Sequence, residues 1–137
     1  MTATDTRVTA RSPALWVLFI VDAGLLITSG SIHLDLWNIA YRHIHILGPL
    51  FLVQVIAAFV IAVAILVTRH VLAVAAGLGL VLGTILGFIL VKTVGLFGFK
   101  LPFISGEAWT VLVVEIVAVI ALAATGRLLL ARRAVRR

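Results

Sequence analysis

Residues 71–91 read VLAVAAGLGLVLGTILGFILV. The run holds no charge, no proline and no alternation of apolar with polar residues, and its length is close to the ~20 residues with which a helix crosses the hydrocarbon of a bilayer. As a strand it would need a closed barrel to hide its edges in lipid, which a chain this short does not supply; as a helix it satisfies its own backbone. It therefore reads as a transmembrane helix. Three further apolar runs match it, Ala14 to Ile32, Leu50 to Thr68 and Ala108 to Thr125. The expected fold is an all-α membrane protein, a bundle of four transmembrane helices with spans at about 14–32, 49–68, 71–91 and 108–125. An N-terminal tail, 1–12, and a basic tail, 127–137, flank the transmembrane domain 13–126.

Composition agrees. Of 137 residues 64% are hydrophobic and only 12% charged, with a mean hydropathy of +1.29, whereas soluble domains are roughly a quarter charged. Four spans leave almost no chain for a soluble domain. The absence of cysteine excludes disulfides, thiolate metal sites and cysteine nucleophiles. The first run is longer than the ~7–15-residue core of a signal peptide and carries Asp22 in its middle, so it reads as a span.

The net charge of +6 sits at segment ends, a topology signal rather than a nucleic-acid surface. With alternate ends assigned to opposite sides, Arg7, Arg11, Arg69, Arg127, Arg132, Arg133, Arg136 and Arg137 fall on one side. Arg42, Lys92 and Lys100 fall on the other, 8 against 3 of the 11 Lys and Arg. The positive-inside rule then puts both termini in the cytoplasm of a multi-pass plasma-membrane protein, where anionic lipid attracts the basic C-terminal tail.

Within the third run Gly79, Gly83 and Gly87 recur at four-residue spacing, with Gly77 nearby. Such a strip suits close contact with another helix, in this chain or in a second copy, and a homo-oligomer is expected. Thr68-Arg69-His70 makes a tight antiparallel turn in which His70 reads as solvated.

Three of the four histidines fall in residues 32–49, IHLDLWNIAYRHIHILGP. Asp35, Asn38, Arg42 and His45 recur at helical spacing, as do Leu34, Trp37, Tyr41 and Ile44 on an adjacent face, which predicts a short amphipathic interfacial helix between spans 1 and 2. Trp37 and Tyr41 suit the headgroup level, and Pro49 suits the first turn of the second span. Asp22, Ser29 and His33 line one face of the first span, a face that must look into protein. Gln54 and Glu115 are the other intramembrane polar side chains. By residue count Glu115 and Asp22 sit at comparable depth, so they could face one another or a basic partner.

Two passages, YRHIHILGPLFLVQ at 41–54 and GLFGFK at 95–100, resemble small four-span actinobacterial integral membrane proteins of unassigned function. In that group a Tyr-Arg pair leads into an Ile/Leu-Gly-x-Leu-Phe-Leu-x-Gln helix start, and the glycine-spaced third span closes on Gly-Leu-Phe-Gly-Phe. The resemblance runs from His33 onward and implies the four-span layout but no activity. The sequence departs from the group's pattern at His45, where proline is frequent, and at Leu101, where an acid often follows the lysine.

Imidazole is the usual ligand for iron, copper and zinc where thiolates are absent. One reading is a haem b protein serving redox or haem handling, with His33 and one of His43 and His45 as axial ligands and Arg42, Lys92 and Lys100 near the propionates. A second is a copper or zinc site that joins Asp35 and Glu107 to His33, His43 and His45. A third is a non-catalytic packing subunit whose polar residues meet water and headgroups. Transport is a fourth, with Asp22, Gln54 and Glu115 relaying protons or holding a cation, though no broken span or inverted repeat accompanies them. No motif of a hydrolase, kinase or dinucleotide enzyme occurs.

Overall fold

The computed structural model describes residues 12–101 and 106–135. Arg7, Arg11, Arg136 and Arg137, which entered the charge-asymmetry expectation, lie outside the described residues. Four α-helices follow one another, α1 (Pro13–Leu36), α2 (Leu47–Thr68), α3 (Val71–Thr93) and α4 (Gly106–Val135), and all four are long and apolar enough to cross a membrane. No strand occurs among the described residues, and the chain is a multi-pass four-helix bundle. α1 packs on α2 and α4, and α3 packs on the same two, an up-down-up-down ring.

The helices outrun the apolar stretches that predict them. α1 continues past Ile32 to Leu36 and then, without a break, into a π-helical turn, Trp37–Tyr41, closed by Arg42 N–H donating to the Trp37 carbonyl at 2.9 Å. The separate interfacial helix expected in this stretch is therefore the end of α1 itself. Neither glycine nor proline interrupts residues 31–47, and the backbone ladder keeps propagating where the hydrocarbon stops. α4 likewise runs through Arg127, Arg132 and Arg133 to Val135, so the described part of the basic tail is helical.

Chain reversals are built tightly. Gly48 starts α2 against the π-turn, where a Cβ would lie 2.8 Å from the Arg42 carbonyl oxygen and 2.9 Å from that of Tyr41; only glycine fits. Between α2 and α3, Arg69 takes a left-handed conformation (φ 50°) and sets its guanidinium 4.1 Å from the centre of the Trp16 ring. His70 is engaged rather than merely solvated. Its Nδ1 accepts from Leu72 N–H at 3.2 Å, capping α3, and its Nε2 lies 2.9 Å from an Arg133 guanidinium nitrogen. A neutral imidazole has one acceptor nitrogen, so one of these two contacts holds at a time.

The core is lopsided. Leu15, Phe19, Leu26, Ala62, Ile65, Val74, Val81, Ala118 and Leu122 form one buried cluster that fills the half of the bundle nearer the termini. Beyond Val81 no described residue of α3 is buried. Hydroxyls within the helices bond back to carbonyls four residues earlier, as for Thr28, Thr68, Thr84 and Thr93, which satisfies them without another helix.

Candidate functional site

Where the core stops, a cavity of about 450 Å³ begins, walled by all four helices and by the turn after α3. That turn is Gly95-Leu96-Phe97-Gly98-Phe99. Positive φ at Phe97 (50°) and Gly98 (80°) and reciprocal hydrogen bonds between Leu96 and Phe99 at 2.8 and 2.9 Å make a primed hairpin turn, for which Gly98 is suited. It folds Leu96 and Phe99 back over the cavity.

An aromatic column descends from the turn. Phe99 meets Tyr41 edge-on at 5.8 Å, Tyr41 stacks on Phe51 at 4.5 Å, and Phe51 tilts against the His33 ring at 5.4 Å. His33 is buried in the cavity wall. Its Nδ1 lies 2.8 Å from the Ser29 carbonyl oxygen; a carbonyl only accepts, so Nδ1 carries the proton and the neutral ring keeps its Nε2 lone pair.

Ser29 also holds Glu115. Its hydroxyl donates to Glu115 Oε1 at 2.9 Å across the α1–α4 contact, with both residues buried. Glu115 Oε2 has no partner, and neither does the amide nitrogen of Gln54; both residues line the cavity. Gln54 follows Phe51, whose ring meets His33, by one helical turn of α2. Apart from Tyr41 in the aromatic column, the polar side chains that α1, α2 and α4 contribute to this mostly apolar cavity are an imidazole, an amide and a carboxyl. Thr84 lines it too, but its hydroxyl is spent on the Leu80 carbonyl.

Several expected groupings do not assemble. Asp22 and Glu115 do not face one another: Glu115 meets Ser29, while Asp22 lies beside Thr125. The seven residues from Asp22 to Ser29 are about 10 Å of helix rise. Counting residues from the apolar boundaries misplaces Glu115, because α4 begins before its apolar run and α1 ends after its own. Asp22 is fully buried with neither oxygen hydrogen-bonded.

His33 and the other two histidines also part company. α1 and its π-turn carry the chain eight residues beyond His33, about 12 Å, before it reverses. His43 and His45 are exposed, and His43 Nε2 accepts from Arg42 Nε at 2.9 Å. Asp35, Glu107 and Lys100 are exposed, and Lys92 lies in the last turn of α3. Among the described residues no group of three or more His, Asp and Glu is arranged to hold a metal ion.

Gly79, Gly83 and Gly87 do not meet another helix of this chain. A Cβ at any of them touches nothing within 4 Å, and all three line the cavity. The close approaches are elsewhere, at Gly30 against Ala58 (3.1 Å) and at Gly77 against Leu26 and Leu122 (3.2 Å each). Sequence reading missed Phe51 and Phe99 as wall residues, and no spacing signal marks them. The role of Ser29 was within reach, since it shares a face with His33. Comparison with family models, curated proteins and solved structures finds no match to this chain.

Proposed function

We propose that the protein is a membrane-embedded binding protein whose cavity holds a largely apolar ligand by a polar head. The observation that carries this reading is the convergence of His33, Gln54 and Glu115 on one apolar cavity, each with an unspent polar atom. A buried polar atom without a partner is costly, and a few convergent polar groups in an apolar cavity are the usual anatomy of a small-ligand site.

One observation favours a narrower form, haem b ligated through His33. A ligating histidine typically gives its other ring N–H to a carbonyl, the arrangement His33 has with Ser29. The ligation would be single, because His43 and His45 are on the exposed surface. A copper or zinc site has no comparable support.

The test is purification in mild detergent, an absorption spectrum, and organic extraction followed by mass spectrometry. The expected result is a co-purifying apolar compound, lost in Gly83→Leu, which adds a bulky side chain to the cavity wall. An intense near-ultraviolet band that shifts on reduction and vanishes in His33→Ala selects haem. A wild-type protein that carries nothing, and whose unfolding no added apolar compound shifts, overturns the binding reading.

A further inference from the structure

The wall of the cavity is closed on α1, α4 and the hairpin turn and open on one side. Every described lining residue of α1, α4 and the turn is buried or half-buried, whereas Leu50 and Val53 of α2 and Gly79 and Gly83 of α3 are exposed; Val53 is 60% exposed. Leu50 is at the start of its apolar run, but Val53, Gly79 and Gly83 sit inside spans, so the gap between α2 and α3 opens on the lipid-facing side of the bundle. Whatever occupies the cavity comes from the bilayer.

The head chemistry follows from the atoms left over. His33 Nε2 offers a lone pair and asks for a hydroxyl. The Gln54 amide, whichever way it is turned, offers N–H donors and asks for an oxygen. Glu115, held in position through Ser29, brings a further unpartnered oxygen to the residues that line the cavity. The three come from α1, α2 and α4 and line the same cavity.

Shape narrows the class further. The glycine face of α3 presents backbone without side chains, and the Phe51–Tyr41 stack lines the same cavity, a lining that suits a flat ring. We infer that the occupant is a quinol-type lipid, a dihydroxy aromatic ring bearing an apolar tail. Its hydroxyl donates to His33 Nε2, its ring oxygen accepts from Gln54, and its tail leaves between α2 and α3. The inference is of binding only, and it rests on the binding reading above.

The experiment uses the full chain in lipid nanodiscs with three probes: decyl-naphthoquinol kept reduced without oxygen, the corresponding quinone, and decylnaphthalene. Expected affinities fall in that order. The quinone, having no hydroxyl for His33, binds about tenfold more weakly than the quinol, the size of one lost hydrogen bond to a buried partner. His33→Leu removes the preference for quinol over quinone while leaving quinone affinity near wild type, a result that mere loss of packing does not give. Gly83→Leu, at a position with open space for the side chain, abolishes binding of all three and keeps wild-type thermal unfolding. Quinol binding no tighter than decylnaphthalene refutes the quinol class and leaves the cavity reading standing. If no probe binds wild-type protein, both readings fall.

Discussion

Alanine at Gly48 and at Gly83 should have opposite effects on stability, although both glycines are in helices. Replacing a helical glycine by alanine ordinarily gains up to ~1 kcal/mol through reduced backbone entropy in the unfolded chain and better helix propensity. At Gly83 nothing opposes the gain, because the added methyl meets no atom within 4 Å. At Gly48 it would meet two backbone carbonyl oxygens at 2.8 and 2.9 Å. Backbone cannot rotate aside as a side chain can, so the cost lies toward the upper end of the ~1–3 kcal/mol typical of overpacking. The two variants should differ by about 2–3 kcal/mol, with Gly48→Ala below wild type and Gly83→Ala at or above it. Gly77→Ala should fall between, since its neighbours at 3.2 Å are the terminal methyls of Leu26 and Leu122, which can give by a few tenths of an ångström. Reversible unfolding by SDS titration from mixed micelles, followed by circular dichroism, measures the series. Equal stability of Gly48→Ala and Gly83→Ala would refute both the tight seating of α2 on the π-turn and the openness of the α3 wall.

Other perturbations read other parts of the bundle. In a double-mutant cycle, Ser29→Ala and Glu115→Leu should couple by about 1 kcal/mol, the scale of interhelical hydrogen bonds in membranes; additive effects would mean that the pair does not form. Arg69→Gly should stay near wild type, because relief of the left-handed conformation, worth ~1–2 kcal/mol, offsets loss of the cation–π contact with Trp16, worth ~0.5–1 kcal/mol. Arg69→Ala keeps the strain and loses the contact, so it should be the less stable of the two in the same titration. His70→Ala should lower stability by about 1 kcal/mol through loss of the α3 cap, and Arg133→Ala by less; the reverse order would assign His70 to Arg133 rather than to the helix end.

The four helices were legible because hydrophobic length is a direct imprint of bilayer thickness. Their ends were not, because hydrogen bonding along a helix is indifferent to where lipid gives way to water; α1 through Tyr41 and α4 through Val135 are the cases. Spacing along a single helix correctly grouped Asp22, Ser29 and His33 on one buried face, since that is a property of 3.6 residues per turn alone. Pairing across helices was different. Which residue of α1 meets Glu115 depends on where each helix begins, and a shift of two turns exchanges Asp22 for Ser29. The histidines illustrate the same limit, as a helix that runs on instead of turning back separates His33 from His43 by the length of its extension. The glycine strip shows another: small residues at every fourth position admit either a neighbouring backbone or empty space, and the pattern is identical for both.

Leu26, Ile65 and Leu122, which knit the bundle together, are not among the residues that surround the hollow. On the binding reading proposed above, folding and ligand preference are thus written in different letters of the chain. Changes at Leu50, Val53 or Gly87 can reshape what the hollow accepts while the knitted end stays as it is. If the hollow holds a bilayer-soluble guest, a lineage built on this plan is free to exchange one such guest for another without first rebuilding its foundation.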